Sequence, residues 1–205
     1  MRFLITGFAP FGGSRINPSA EVLRHLPPQF GTNEIFCEEL PVEYDRSAEI
    51  LLSLIERYSP DCVLCIGQAA GREGISLEYT AANVKASDMP DNAGVTYSGA
   101  RILEDGPETI PSNLPLKELA ATLKEAGIPA KISYSAGTYV CNNLFYRLLH
   151  TITAHNLRML GGFLHIPPDE AQIADFAQGT PIMPIGEVAR ALKLIIAQLG
   201  EMQGN

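Results

Sequence analysis

One cysteine stands out by its position in the chain. In the stretch SAGTYVCNNLFYRLLH, residues 135–150, Cys141 lies where a small, flexible turn gives way to a run with helical periodicity. At a helix N-terminus the helix dipole favours the thiolate, and unpaired backbone N–H groups can bind an oxyanion. Cys141 is therefore a candidate nucleophile. The competing interpretation is a buried, unreactive thiol, because cysteine is among the residues most often found in protein cores.

A nucleophilic thiol requires a base, and the chain has four histidines. His165, in GGFLHIPP, falls at the carboxyl end of a predicted strand, which is the edge where ligands bind in open α/β sheets. His25, His150 and His155 lie at or near predicted helix ends and are most simply interpreted as surface residues. His165 is the preferred candidate base, with a purely structural histidine as the alternative.

A carboxyl group commonly fixes the orientation of the imidazole in such a pair. Glu78, in ISLEYTAAN, is an acidic residue between apolar neighbours and is one candidate. Residue types and spacing alone do not distinguish it from Glu73 or Asp88. The third member of the arrangement therefore stays open at this point.

The elements that must position these residues alternate between short apolar runs and helical patterns. The predicted strands are RFLITGF, EIFCEELP, DCVLCIG, ISLEYTAANVKA, AKISYS and LRMLGGFLHIP. The predicted helices are a segment starting at Asn17-Pro18, EYDRSAEILLSLIERY, PLKELAATLKEAGIP closed by Gly127, TYVCNNLFYRLLHTITAH and IGEVARALKLIIAQLGEMQ. This alternation predicts a three-layer αβα fold with a mixed, largely parallel twisted sheet, formed by residues 1–205 as a single domain.

The segment from about Ser87 to Asn113 interrupts this alternation. It is rich in Pro, Gly, Asn and Asp, which predicts a long loop or short hairpins. Loops of this length are uncommon inside a compact domain and are often functional. We therefore expect this segment to contribute to subunit contacts in a homo-oligomer.

The charge and cysteine content exclude several classes of protein. Fifteen basic and 23 acidic residues give a net charge of −8, which argues against a nucleic-acid or anionic-membrane partner. No signal peptide or membrane-spanning run is visible, so we expect a cytoplasmic location. Cys62 and Cys65 form a C-x-x-C spacing, but in a strand they point to opposite faces, so neither a redox pair nor a metal site is expected.

Four separated blocks resemble the cysteine-type pyroglutamyl peptidases, also called pyrrolidone-carboxylate peptidases. They are TGFAPFGGSRINPS, GQAAGREGISLEYTAAN, MPDNAG, and IPAKISYSAGTYVCNNLFYRLLH followed by GFLHIP, and they span residues 6 to about 167. The resemblance implies removal of an N-terminal pyroglutamyl residue from peptides, without metal or cofactor, through a thioester. It also implies that Cys141 is the nucleophile, His165 the base and Glu78 the acid.

The same resemblance implies a pocket for the neutral five-membered lactam and a homotetrameric assembly. The residues that it assigns to substrate binding are Phe8, Phe11, Gln68, Met89, Tyr139 and Val140. Apolar walls and amide hydrogen bonds suit a lactam, which carries no free amine. Core packing is the alternative explanation for two phenylalanines three residues apart.

The chain departs from the family pattern at several positions. Asp88 stands where members typically carry arginine, Tyr79-Thr80 replaces a basic and an aliphatic residue, and Tyr139 replaces phenylalanine. If Asp88 points into the site, turnover should be weak and Asp88→Arg should raise it by about tenfold or more; if Asp88 points into solvent, the substitution should be nearly silent. The alternatives are a hydrolase of another small amide or lactam, a non-catalytic peptide-binding relative, and a nucleoside phosphorylase-like enzyme, although the last lacks a recognisable phosphate cradle.

Overall fold

Most of the apolar runs predicted as strands join one main sheet in the computed structural model, which describes residues 1–202. The strands are β1 (Arg2–Phe8), β2 (Gln29–Phe30), β3 (Asn33–Leu40), β4 (Cys62–Gln68), β5 (Ile75–Glu78), β6 (Thr80–Ala82), β7 (Lys85–Ser87), β8 (Tyr97–Ala100), β9 (Thr109–Pro111), β10 (Ala130–Ser133) and β11 (Leu160–Ile166). The helices are α1 (Pro18–Glu21), α2 (Tyr44–Tyr58), α3 (Leu116–Glu125), α4 (Val140–Ala154) and α5 (Ile185–Met202), and 3-10 turns cover Val22–His25 and Glu170–Asp175.

The main sheet has seven strands in the order β10-β5-β11-β4-β1-β3-β2. The central strands β11, β4, β1 and β3 are parallel, β5 runs antiparallel to β11, and β2 runs antiparallel to β3. Because β1 lies between β3 and β4, the chain turns to opposite sides of β1 in successive crossovers. Ligands of open α/β sheets bind outside the carboxyl ends of the strands at such a point.

Helices cover both faces of this sheet, and each face has its own apolar cluster. One cluster joins the sheet to α3, α5 and the 3-10 turn Val22–His25, with Leu119 and Leu192 fully buried. The other joins it to α2 and α4, with Leu51 and Leu148 fully buried. The predicted three-layer fold with a mixed, largely parallel sheet is confirmed. No helix within residues 1–202 has the length and apolarity needed to cross a bilayer.

The two cysteines of β4 behave as the strand periodicity predicts. Cys62 belongs to the cluster under α3 and α5, whereas Cys65 belongs to the cluster under α2 and α4. Both are fully buried, and neither forms a disulfide. The C-x-x-C spacing therefore reflects a two-sided core strand.

The prediction of one strand over ISLEYTAANVKA is wrong. Only β5 joins the main sheet, while β6 pairs with β9 and β7 pairs with β8 in two separate two-stranded sheets. The reason is a side chain from α4: the Asn142 amide accepts from the N–H of Ala82 and donates to the carbonyls of Ala82 and Val84. A buried amide thus satisfies backbone groups that a continuous strand would have paired with a neighbouring strand.

The predicted helix starts and stops are largely confirmed. The Asn17 side chain caps α1 by accepting from the N–H of Ser19, and Pro18 is the first helical residue. However, α1 lasts a single turn before it continues as a 3-10 turn. Gly127 follows α3 with a φ of 74°, a conformation that glycine adopts without steric cost.

Candidate active site

A cavity of about 610 Å³ opens at the carboxyl ends of the central strands. Phe8 ends β1, Gln68 ends β4, and His165 is the penultimate residue of β11, and all three line the cavity. Val140 and Cys141, the first two residues of α4, line it from the helix side. The volume lies in the usual range for small-molecule sites.

All the residues that the resemblance assigned to substrate binding line this one cavity. They are Phe8, Phe11, Gln68, Met89, Tyr139 and Val140. Phe8 and Val140 are buried, whereas Met89 is 42% exposed and lies toward the solvent side. The walls are mainly aromatic and aliphatic, and Gln68 is the amide among these six residues.

The turn before α4 brings Cys141 to the wall of the cavity. Gly137 adopts a φ of 78°, which L side chains rarely take up. The N-cap residue Tyr139 makes no side-chain capping bond, and the Tyr139 carbonyl accepts from the N–H of Asn143. Because the backbone N–H groups that precede Asn143 have no intrahelical acceptor, they are available to an anion in the cavity.

The expectation that the helix N-terminus lowers the pKa of Cys141 is wrong. Burial raises the pKa of this thiol to about 12, and the negative charge of Glu78 and the proximity of Cys65 add to the increase. The hydrogen bond from the Cys141 backbone N–H acts in the opposite direction but is the weakest of these effects. The thiol is therefore protonated at neutral pH, and its activation requires a base.

Glu78 and His165 form a buried pair behind the cavity. The distance from Nδ1 of His165 to Oε1 of Glu78 is 2.7 Å, and the side chains are 5% and 0% exposed. In the antiparallel register Glu78 lies opposite Phe163, and His165 lies opposite Ser76, so the contact is diagonal across the two strands. When Nδ1 of His165 carries the ring proton and donates a hydrogen bond to the Glu78 carboxylate, Nε2 is unprotonated and can act as a base.

The structure also separates the residues that sequence patterns left as alternatives. Glu73 and Asp88 are both exposed, and it is Glu78 that contacts His165. Of the other histidines, His25 and His155 are exposed, and His150 stacks on Tyr146 on α4. Among the histidines, His165 is the one that lines the cavity.

Gly67 supports the thiol and was missed by reasoning from the sequence. A Cβ atom at this position would lie 2.9 Å from Sγ of Cys141 and 2.9 Å from Cζ of Phe163. Gly67 pairs with His165 in the parallel register of β4 and β11. The glycine therefore leaves room for sulfur beside the imidazole-bearing strand, and its only signal in the sequence was its place near the end of a buried apolar run.

The segment after β11 was also missed, because it has no periodic pattern. Asp175 and Phe176 line the cavity, and the buried Gln172 side chain donates to the Ser14 hydroxyl at 3.1 Å and to Oε1 of Gln68 at 3.4 Å. Asp169 caps the 3-10 turn in a capping box with Gln172. The spacing D-E-A-Q was the one available signal for this turn.

Two of the departures from the family pattern have a clear structural setting. The Tyr139 hydroxyl donates to the Pro90 carbonyl at 3.0 Å, which ties the wall of the cavity to the segment that carries Met89. Asp88 is exposed, and it is Met89 that contributes to the cavity wall. Across residues 1–202, no group of three or more His, Cys, Asp or Glu side chains is placed to hold a metal ion.

Comparison with known proteins agrees with this geometry. A family model for pyroglutamyl peptidase matches residues 1–201. Pyrrolidone-carboxylate peptidase of Thermococcus onnurineus is 42% identical over 196 residues, which cover 96% of this chain and 97% of that protein. The homologue of Thermosipho africanus is 42% identical over 192 residues, covering 94% of this chain and 93% of that protein.

Solved structures show the same relationship. Pyroglutamyl peptidase I of Bacillus amyloliquefaciens superposes with a TM-score of 0.91 at 37% identity, covering 96% of this chain and 93% of that chain. The pyrrolidone carboxyl peptidase of Fervidobacterium islandicum superposes with a TM-score of 0.94 at 34% identity, covering 98% and 99% of the two chains. The chain therefore belongs to the pyroglutamyl peptidase family.

Proposed function

We propose that this protein hydrolyses the amide bond that follows an N-terminal pyroglutamyl residue, with Cys141 as nucleophile, His165 as base and Glu78 as the acid that orients the base. One observation carries the proposal: Cys141 and His165 line the same cavity, and the buried Glu78 carboxylate holds Nδ1 of His165 at 2.7 Å. An imidazole held in this way presents Nε2 to the cavity.

In the first half of the reaction, Sγ of Cys141 attacks the pyroglutamyl carbonyl carbon while Nε2 of His165 takes the thiol proton. The C–N bond then breaks, and the imidazolium gives this proton to the leaving amine, which leaves a pyroglutamyl thioester on Cys141. In the second half, His165 takes a proton from water as the water oxygen attacks the thioester. Breaking of the C–S bond releases pyroglutamate and, with return of that proton to sulfur, restores the thiol.

The raised pKa of Cys141 determines how this proton moves. Because burial raises the pKa of the Cys141 thiol, attack requires His165 to take the thiol proton. Glu78 stabilises the imidazolium formed at that moment, and free N–H groups of the first turn of α4 stabilise the oxyanion. Within residues 1–202, Sγ of Cys141 makes no hydrogen bond to His165. Hydrogen bonds between a nucleophile and its base often form or shorten only when substrate binds.

The cavity suits N-terminally pyroglutamyl peptides as substrates. Phe8 and Phe11 supply apolar walls, and the Gln68 amide supplies a polar group that can pair with the lactam. Gln172 donates to Oε1 of Gln68, which leaves the Gln68 amide nitrogen free to donate to a carbonyl. A neutral ring suits the part of the lining that Phe8, Phe11 and Gln68 form, since these side chains carry no charge.

The test is release of 7-amino-4-methylcoumarin from its pyroglutamyl, prolyl and alanyl amides by the protein and by Cys141→Ala. We expect turnover of the pyroglutamyl amide alone and none by the variant. Turnover of another amide in preference would favour a hydrolase of a different small amide. No turnover of any amide by the reduced protein would favour a non-catalytic peptide-binding relative.

We also propose a homo-oligomer, a tetramer by family resemblance, with contacts from residues 87–113. Its support is the largely exposed loop that joins β7 to β8, on which the apolar Val95 is 39% exposed. Sedimentation at micromolar concentration tests it, and a lone 22.2 kDa species would contradict it. The cytoplasmic location stays a prediction from the sequence.

A further inference from the structure

Arg72 joins the acid of the site to the turn that leads to the nucleophile. Its Nη2 lies 3.3 Å from Oε1 of Glu78 and donates to the Ser135 carbonyl at 3.0 Å. Arg72 follows β4 through a short loop, Glu78 ends β5, and Ser135 lies in the turn before α4. One guanidinium thus contacts two elements and extends from a third.

The charge of Arg72 complements a carboxylate that solvent does not reach. Glu78 is 0% exposed, and its Oε2 is buried without a hydrogen-bond partner. Within residues 1–202, its ion-pair partners are Arg72 and His165. Because His165 is neutral when it acts as a base, Arg72 is the cation that compensates the buried carboxylate before the reaction starts.

The Ser135 carbonyl is the second group that holds the Arg72 guanidinium. Ser135 lies six residues before Cys141, and the Ser133 hydroxyl also donates to its carbonyl. The turn is also held by its own side chains: the Ser135 hydroxyl accepts from the N–H of Gly137, and the Thr138 hydroxyl donates to the Ala86 carbonyl, so the Ser135 carbonyl is a fixed acceptor for Arg72. Ala70, in the loop before Arg72, lines the cavity, but Arg72 itself does not.

We propose that Arg72 is a positioning residue that acts through Glu78: it compensates the charge of the buried carboxylate and holds the carboxylate in register with His165, while the Ser135 carbonyl keeps the guanidinium in place. This inference rests on the proposed function, since it assigns a role within that set of three residues. Arg72 does not touch the substrate, so its effect falls on kcat rather than on KM.

The experiment measures kcat and KM for pyroglutamyl 7-amido-4-methylcoumarin with Arg72→Met and Arg72→Lys, each in the wild-type and the Glu78→Gln background. In the wild-type background we expect Arg72→Met to lower kcat by about 10- to 100-fold, with KM within about twofold. Arg72→Lys, which keeps the charge but not the guanidinium geometry, should lose less. In the Glu78→Gln background, Arg72→Met should lower kcat by less than about threefold further, because the group through which it acts is already neutral.

Arg190→Met is the matched control. Arg190 also bridges a carboxylate and a backbone carbonyl, those of Glu187 and Ala126, but it lies on the exposed side of α5 away from the cavity. The kcat of Arg190→Met should equal that of the wild-type protein. Urea unfolding of every variant separates loss of fold from loss of positioning.

Several results would overturn the inference. The first is a kcat of Arg72→Met within about twofold of the wild-type value, and the second is a change in KM without a change in kcat. The third is that Arg72→Met lowers kcat by the same factor in the wild-type and Glu78→Gln backgrounds. If Arg72→Met does not fold, Arg72→Lys decides: wild-type kcat contradicts the role, and a loss that vanishes in the Glu78→Gln background supports it. Wild-type kcat in Glu78→Gln itself would instead contradict the proposed function.

Discussion

Cys65 and Cys141 pack on the same face of the sheet, and burial raises the pKa of each thiol to about 12. Cys65 lies in the middle of β4 with no exposed surface, and the hydroxyl of Thr6 is its polar neighbour. Cys141 starts α4, is partly exposed, and borders a cavity that also contains His165. The two thiols therefore have similar acidity at rest but very different surroundings.

Under the proposed mechanism, this difference explains why Cys141 rather than Cys65 would be the reactive thiol. A low resting pKa is not the distinguishing property, because both thiols are protonated at neutral pH. Of the two thiols, only Cys141 borders a cavity and shares it with an imidazole. Only Cys141 also lies beside free backbone N–H groups at the start of a helix. We expect those three features to carry the activity.

The largest expected effect separates the two thiols directly. Cys141→Ala should lower kcat for the pyroglutamyl amide by about 1,000-fold or more, because the proposed route through a thioester would be lost. Cys65→Ala should keep kcat within about twofold but lower the free energy of unfolding by about 1–2 kcal/mol, since it leaves a small cavity in the core. Coupled turnover assays and urea unfolding give both numbers.

Alkylation with iodoacetamide gives an independent control for this pair. Cys141 should be labelled first and Cys65 not at all in the folded protein. Because the pKa of Cys141 is about 12, its labelling rate should keep rising with pH through the range from 7 to 10 instead of reaching a plateau near neutrality. Labelling of Cys65 before Cys141, or loss of activity in Cys65→Ala with Cys141→Ala active, would reverse the comparison.

The next effect concerns the imidazole that only Cys141 shares. His165→Ala should lower kcat nearly as much as loss of the thiol, whereas Glu78→Gln should cost less, because an amide still hydrogen-bonds to Nδ1. The double variant should be little worse than His165→Ala alone, since in the proposed mechanism Glu78 acts through His165. Small, additive losses in kcat would mean that neither residue activates the thiol.

Substitution of Gly67 tests whether activity depends on the position of the Cys141 sulfur. Gly67→Ala places a methyl group 2.9 Å from Sγ of Cys141, and the resulting displacement should lower kcat by roughly 10- to 100-fold. Gly161→Ala is the control, because its Cβ would press on Ile152 instead. That variant should lose stability but keep kcat. Equal kcat in the two variants would show that sulfur tolerates displacement.

The parts of this molecule that were predictable are those whose cause is local. β1, β4 and β11 follow from runs of apolar residues, and α4 and α5 from helical periodicity. Cys141 and His165 could be singled out from a helix start and a strand end. Glu78 could not, because its selection depends on a diagonal contact with His165 that strand order and register create.

The parts that were not predictable depend on contacts between distant segments. The split of ISLEYTAANVKA arises from the Asn142 amide, 60 residues later in the chain than Ala82. Gln172 reaches back to Ser14 across 158 residues, and so brings an aperiodic segment onto the cavity. The raised pKa of Cys141 likewise reflects how deeply α4 packs, which no local pattern encodes.

The smallest expected effect tests the departure at Asp88, beside the cavity that Cys141 borders. Asp88 is exposed, whereas its neighbour Met89 lines the cavity and the Tyr139 hydroxyl holds the Pro90 carbonyl at 3.0 Å. A charge in solvent is screened by water and salt and typically changes energies by less than about 1 kcal/mol. Asp88→Arg should therefore change kcat/KM for the pyroglutamyl amide by less than about threefold, and less at 0.5 M salt than at low salt.

Asp88→Arg removes a negative charge and also adds a guanidinium. Asp88→Asn separates these two effects, because it only removes the negative charge. If solvent screens the position, both variants should give nearly wild-type kcat, and any small change should appear in KM and decline as salt rises. An increase of about tenfold or more in kcat for Asp88→Arg alone, independent of salt, would mean that an arginine at this position reaches into the cavity and supports the oxyanion. In that case the N–H groups at the start of α4 would not suffice for full activity, and the contrast between Cys141 and Cys65 would depend on the segment from Ser87 to Pro90 as well as on the helix.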